Sequence, residues 1–325
     1  MRDRRLKIEL ITPAPPQSRT GNRVTAMRWA RLLRRLGHDV ILAEEYKGEN
    51  RDALIALHAR RSSPSVDAFH QRYPERPIVV ALTGTDLYED LKSSSEAARS
   101  VELASALVVL QDKAPEALRP HLRSKAYVIY QSVERSSRVI QKSRRFFDVA
   151  VVAHLREVKD PFRAAEASRL LPGSSRIRIR QVGKALDERL STRAREEEAT
   201  NRRYHWLGEV SRRRAREVLV RSRLSVLSSR IEGGANAVSE SLAAGVPVLA
   251  SRIPGNVGML GEDYAGYFAV GDTEALARLL SAAETNRTFY GGLVRACRRR
   301  GALISPERET RAWRNLLRQL VKRSE

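Results

Sequence analysis

Strand-length apolar runs alternate with helix-period stripes along this chain, and the alternation starts afresh near its middle. Few features restrict a fold as tightly. Strand–helix–strand order sets successive strands side by side in parallel, and a parallel sheet has to be covered on both faces. Lys7 to Thr12 reads as a strand, followed by a polar loop, Pro13 to Arg23. A helical stripe follows over Val24 to Leu36, carried by Ala26, Trp29, Ala30, Leu33 and Leu36, with Gly37 as its stop. Val40 to Ala43, Ile78 to Leu82, Leu107 to Leu110 and Ala126 to Tyr130 supply further strands. The polar, basic run Ser136 to Phe147 is the expected linker. Beyond it, strands are expected over 148–153, 177–182, 203–207, 224–228 and 248–250. Asp160 is expected as an N-cap ahead of Pro161, and Ser211 to Val220 as a helix. A Ser305 cap and Pro306 open a last helix striped with Trp313, Leu316, Leu317 and Leu320.

The fold class that follows is α/β: two doubly wound, Rossmann-like domains facing a central cleft. The expected division is 1–145, 146–304 and a terminal helix over 305–325. Ligands of such sheets sit at the carboxyl ends of the strands. The length, 325 residues, is enough for two domains.

Composition narrows the function. The basic start is followed by an apolar run too short for a signal peptide, and no uncharged run is long enough for a membrane span. The single cysteine, Cys297, rules out an intrachain disulfide framework and fits a cytoplasmic location. Cys and His do not cluster at zinc spacing, so no metal site and no cofactor are expected. Sixty basic residues against thirty-eight acidic ones leave a net charge of +22, which suits an anionic partner. An arginine-rich surface is also what a GC-rich genome writes, so the informative arginines are those in loops between a strand and a helix. No nucleic-acid motif accompanies the charge, and neither a nucleic-acid partner nor stable membrane insertion is expected.

Two carboxylates, Glu232 and Glu240, flank Gly233, Gly234 and Asn236 just after the strand over 224–228. The glycines permit a tight turn and close approach of backbone to a ligand. A helix starting near Ala235 or Asn236 offers free N–H groups to an anion. Asn236 and Glu240 share a helix face, so Glu240 can accept hydrogen bonds from two ribose hydroxyls while Glu232 reaches another part of the same ligand. The layout suits a nucleotide sugar.

The stretch "RSRLSVLSSRIEGGANAVSESLAAGVPVLASRIPGN", continued by "GYFAVGDTEALARLL", resembles the donor-binding signature of retaining GT-B glycosyltransferases of family 4. The resemblance implies that Glu240 holds the ribose and Glu232 the donor sugar, without metal, and that the helix over 305–325 packs back on the first domain. "VVAHLREVKDPF" is similar to that family's diphosphate loop. Lys159 falls on its lysine position, and His154 falls where the family has arginine, with Arg156 two residues on as the substitute. The implied catalytic set is Arg156, Lys159 and Glu232.

Over nearly the whole chain, and most clearly in "IELITPAPPQSRTGNRVTAMRWARLLRRLGHDV" and "ALTGTDLYEDL", the sequence resembles the selenosugar synthases of selenoneine biosynthesis. That resemblance implies transfer of a sugar from a UDP-sugar, commonly UDP-N-acetylglucosamine, to selenophosphate. Both are substrates rather than cofactors. Enzymes that supply selenophosphate or use the selenosugar would be its pathway partners. Arg19, Thr20, Gly21, Asn22 and Arg23, in the loop after the first strand, form a cradle for a small, highly charged acceptor. Thr83, Thr85 and Asp86 are a second acceptor group, although Asp86 and Glu89 also have capping-box spacing. The alternative is an ordinary family 4-like transferase acting on a hydroxyl of a cell-envelope lipid or glycan.

Overall fold

The structure is a computed structural model that describes residues 4–18, 20–134 and 141–324. Contacts divide the chain into one unit of residues 1–132 with 306–325 and a second of residues 133–305.

The first unit is a six-stranded parallel sheet of order β2-β1-β3-β4-β5-β6. Its strands are β1 (Lys7–Ile11), β2 (Asp39–Ala43), β3 (Ala53–Leu57), β4 (Ile78–Ala81), β5 (Ala106–Val109) and β6 (Ala126–Val128). Its helices, in chain order, are α1 (Gly21–Arg35), α2 (Ser63–Arg72), α3 (Leu91–Ser93) and α4 (Ser95–Leu103). Residues of β3, β4 and β5 are buried on both faces. That is why they read as continuous apolar runs rather than alternating ones. One face packs Ile8, Leu10, Ile55 and Leu57 against Trp29 and Leu33 of α1. The other packs Ile11, Leu54, Val80 and Leu107 against Phe69 and Val101. Sequence reasoning passed over β3, "ALIAL", although it is a run of the same kind.

The second unit repeats the plan, in the order β12-β11-β10-β7-β8-β9. Its strands are β7 (Phe147–Val152), β8 (Ile177–Val182), β9 (Tyr204–Trp206), β10 (Leu224–Leu227), β11 (Val248–Ser251) and β12 (Tyr267–Phe268). Its helices are α5 (Arg163–Arg169), α6 (Glu188–Thr200), α7 (Arg212–Arg221), α8 (Asn236–Ala243), α9 (Pro254–Leu260), α10 (Thr273–Thr285) and α11 (Arg287–Arg300). β7 and β8 pair in register from Phe147↔Ile177 to Val152↔Val182.

The last helix, α12 (Pro306–Ser324), belongs to the first unit. Trp313 packs edge-on against Trp29, with ring centroids 4.8 Å apart, beside buried Leu316, Leu317 and Leu320. Glu309, 1% exposed, is the polar anchor. It accepts from Trp29 Nε1 at 2.8 Å and from the Ser132 amide at 3.0 Å, and it pairs with Arg28 at 3.3 Å.

Three expectations are corrected. The first boundary falls at 132/133 rather than at 145/146. Val133 donates to the Ile304 carbonyl, and Arg216 and Arg223 donate to the carbonyls of Glu134 and Ser143, so those segments are held by the second unit. Residues 136–140 of the expected linker lie outside the described residues. Asp160 is not an N-cap. It takes a left-handed conformation, φ 44°, after a short 3-10 turn, and its carboxylate binds the Arg163 guanidinium at 2.8 Å. Finally, α1 begins at Gly21, so Gly21, Asn22 and Arg23 form its first turn instead of the preceding loop. Among the described residues, no helix is long and apolar enough to cross a membrane.

Candidate active site

In the second unit, the loops leaving β7 and β10 are tied together at the carboxyl end of the sheet. The Arg230 amide donates to the Val158 carbonyl at 2.8 Å, and the Ser228 hydroxyl donates to the carbonyls of Lys159 and Asp160. These bonds bring Lys159 to Glu232 across 73 residues of sequence, with Nζ 2.6 Å from Oε1. The Ser229 hydroxyl donates to the same oxygen at 2.6 Å. Glu232 is 9% exposed and Lys159 has 25% of its side chain exposed, so the pair sits at the wall of the site rather than in bulk water.

The floor beneath Glu232 is Gly255. A Cβ there would lie 2.0 Å from the Glu232 carbonyl oxygen, so any larger residue would push Glu232 out of place. Gly183 does the same beneath the other loop: its φ is +148°, and a Cβ would lie 2.0 Å from the Ala153 carbonyl oxygen.

The turn into α8 differs from its sequence reading in one respect. Neither Gly233 nor Gly234 takes a positive φ; the left-handed residue is Ala235, at φ 30°. A Cβ-bearing residue there stores roughly 1 kcal/mol of strain. The two glycines are buried, and their value is close packing of backbone. Asn236 opens α8, and Glu240, one turn on, has 29% of its side chain exposed, with Arg212 at 3.8 Å.

His154 has a settled tautomer. Its Nδ1 accepts from the Lys184 amide at 3.1 Å, which leaves the proton on Nε2. Burial, above all, lowers its pKa, opposed by Glu209. It is therefore a neutral donor at pH 7 and does not replace the cation that the family carries at this position. The cations of this loop are Arg156, exposed ahead of the 3-10 turn, and Lys159. Arg163, nearby, is already held by Asp160, Glu166 and Thr273.

The acceptor candidates belong to the first unit. Arg19 lies outside the described residues. Thr20 precedes α1 without a side-chain cap bond, and its hydroxyl pairs with Ser18 at 2.8 Å. Gly21, Asn22 and Arg23 follow in a first turn free of acidic residues. The Arg23 Nε is buried without a hydrogen-bond partner. Asp86 is corrected: it is fully buried and braces the loop after β4. Its Oδ1 accepts from the Thr83 and Gly84 amides at 2.8 Å each, and its Oδ2 from the Ala59 amide at 3.0 Å. It shapes the loop and has no free face for a ligand, and the helical turn it opens carries no capping-box bond.

Sequence reasoning missed His58, at the carboxyl end of β3. It is 3% exposed and left-handed, at φ 75°. Its Nδ1 accepts from the Arg61 amide at 3.4 Å, and Nε2 lies 3.3 Å from Thr85 Oγ1 and 3.8 Å from the Asp90 carboxylate. Arg60 holds Asp90 at 3.0 Å. A histidine directly after an apolar strand run, followed by two arginines, was the available signal.

Two doubly wound parallel-sheet units, with a terminal helix returned to the first, define a GT-B fold. A family profile described as "Glycosyl transferases group 1" matches residues 132–302, and the chain belongs to that family. Solved structures agree on the fold. HepE of Anabaena in complex with UDP-glucose is 14% identical, covering 97% of this chain and 100% of that one at a TM-score of 0.72. A sucrose-phosphate synthase from Thermosynechococcus elongatus is also 14% identical, covering 97% and 99% at a TM-score of 0.74. The pneumococcal O-GlcNAc transferase GtfA in complex with UDP and GlcNAc is 13% identical, covering 82% and 57% at 0.65.

Proposed function

We propose that the protein transfers a sugar from a UDP-sugar, UDP-N-acetylglucosamine being the first candidate, to selenophosphate. The observation that carries the donor half is the Lys159–Glu232–Ser229 array, set at the ends of β7 and β10 and followed by α8. In this reading Arg156 and Lys159 hold the diphosphate, and His154 donates an uncharged hydrogen bond from Nε2. The free Oε2 of Glu232 faces the sugar, Gly233 and Gly234 let the backbone approach, and Asn236 and Glu240 take the nucleoside end. HepE and GtfA, solved with UDP-glucose and with UDP and GlcNAc, support a UDP-sugar as the donor.

Selenium attacks the anomeric carbon, the bond from that carbon to the β-phosphate oxygen breaks, and UDP leaves with the electron pair. Water then cleaves the phosphorus–selenium bond, releasing phosphate and the selenosugar. Preorganised cations stabilise the charge that builds on the leaving diphosphate. The unpartnered Arg23 Nε, beside Thr20, Gly21 and Asn22, supports a small anionic acceptor. A hydroxyl acceptor needs its proton removed in the transition state, whereas anionic selenium does not. His58, buried at the carboxyl end of β3, has both ring nitrogens engaged, by the Arg61 amide and the Thr85 hydroxyl, which favours a nucleophile that needs no base.

The test is anaerobic incubation with UDP-N-acetylglucosamine and selenophosphate, each omitted in turn, followed by mass spectrometry. A product with the selenium isotope pattern, formed only when both are present, is expected. Consumption of the UDP-sugar by a hydroxyl acceptor, with no selenium-containing sugar, would replace this reading with the cell-envelope transferase.

A further inference from the structure

β8 carries a pattern that its place in the sheet does not call for. It lies between β7 and β9, where both faces of a parallel sheet are covered and normally apolar. Ile177 and Ile179 are buried on one face, as expected, but Arg178 and Arg180 precede Val182 on the other. The register sets Asp148 beside Arg178 and Ala150 beside Arg180. That face therefore runs from charged at the amino end to apolar at the carboxyl end, where Ala150, Val182, Val218 and Leu219 form a small core beneath α7. Arg214 and Arg221 lie one turn to either side of Val218 on the covering helix.

Where core would continue there is instead an open cavity of about 430 Å³, lined in part by Lys142, Asp148, Arg178, Arg180, Arg214 and Arg221. The local carboxylates are spent elsewhere. Asp148 grips Arg178 at 2.7 and 3.1 Å, and Arg178 also stacks on the Phe146 ring. Glu217 takes Arg213 and Arg214. Among the described residues, Lys142, Arg180 and Arg221 have no carboxylate within salt-bridge distance. Burial first, and then Arg178, lowers the Arg180 pKa; burial and Arg223 do the same for Lys142. Sequence positions that should carry apolar side chains thus carry like charges held close together around open space. Exceptions of this kind to a local rule are expected at functional or strained sites.

We propose that this cavity is a second binding site, for a soluble oligophosphate: a pyrophosphate or triphosphate group, free or borne by a small molecule. Clustered guanidinium groups match phosphate oxygens in charge and geometry, and the volume is that of a small-molecule pocket. The cavity lies toward the amino ends of β7 and β8, whereas the candidate active-site loops leave their carboxyl ends, so the two sites share a unit and no residues.

Calorimetric titration with tripolyphosphate tests the proposal. With UDP saturating the donor loop, wild-type protein and Lys159→Ala should bind alike, while Arg180→Ala and Arg221→Ala should each weaken binding by at least about tenfold. Tripolyphosphate should raise the melting temperature of wild type but not of Arg180→Ala, and Arg180→Ala without ligand should melt no lower than wild type. Binding that survives both arginine substitutions, or that disappears with Lys159→Ala, would overturn the proposal. So would sedimentation with phosphatidylglycerol vesicles that depends on Arg180 and Arg221 without any binding of tripolyphosphate, which would assign the cavity to membrane headgroups.

Discussion

Glu240 and Lys159 show how one side chain can be tested apart from the fold. Glu240 is only partly buried, and Arg212, 3.8 Å from it, is itself mostly exposed. Glu240→Ala should leave the melting temperature within a degree or two, because an exposed pair contributes little. UDP affinity should fall by roughly tenfold or more, the value of a lost hydrogen bond to a charged acceptor. Calorimetry finding unchanged affinity in the folded variant would remove Glu240 from the nucleoside end. Lys159→Ala acts on chemistry instead. It removes a cation from the loop after β7, the proposed diphosphate loop, and frees Glu232 from its 2.6 Å partner. Turnover should drop by about 10²–10³, with UDP affinity changing much less. Full activity in Lys159→Ala and in Arg156→Ala would put the diphosphate elsewhere. The motif spacing that makes Glu240 and Lys159 candidates is local, and so it can be read in the sequence. The state of His154 cannot, because its tautomer depends on an amide thirty residues away, that of Lys184, and its neutrality on burial in the folded chain.

Among the elements, α12 has the clearest energetic role. Its stripe of Trp313, Leu316, Leu317 and Leu320 was plain from helical periodicity, but Glu309, in the first turn, looks in sequence like an ordinary acidic residue there. In the structure it is buried and holds two indole-bearing helices and the end of the first unit's main segment together. Glu309→Ala would leave the Trp29 N–H, the Ser132 amide and the Arg28 guanidinium short of an acceptor. Urea unfolding should show a loss of about 3 kcal/mol or more. A loss under 1 kcal/mol would mean that the apolar stripe alone seats the helix. β3 teaches the reverse lesson. Its five-residue apolar run is as legible as those over 78–82 and 107–110, and a short run without alternation separates strand from buried helix only by its neighbours in the sheet.

For the whole molecule, pH is the most direct probe. Burial is the leading cause of a lowered pKa at His58, His154 and His205. In the unfolded chain these imidazoles take up protons near their ordinary value of 6.5, while in the native state they stay neutral to lower pH. The unfolded state thus binds more protons in that window, and stability rises with pH there. The denaturant midpoint should be constant from these groups above about pH 7 and fall as pH drops from about 6.5 toward 5. Glu9, whose pKa is raised chiefly by burial, works against the trend at the acid edge. His58→Asn, which tolerates the left-handed backbone, should flatten part of the slope. A midpoint that rises on acidification from pH 6.5 to 5 would contradict this assignment. The net charge of +22 predicts only solubility and attraction to anions; where that charge acts is a matter of placement.

By itself the sequence determined the alternation of strands and helices, the two units, the apolar stripe of the last helix and the family signature around Glu232 and Glu240. All of these rest on periodicity or on spacing within a few turns. Only the tertiary structure decided that Asp86 braces a loop, that Ala235 rather than a glycine takes the left-handed turn, and that Lys159 and Glu232 meet. It also decided that Arg178 and Arg180 line a cavity instead of solvent. Each of these depends on which segments lie side by side in the folded sheets. Parallel pairing sets segments tens of residues apart next to one another, and no local pattern records what the neighbour brings.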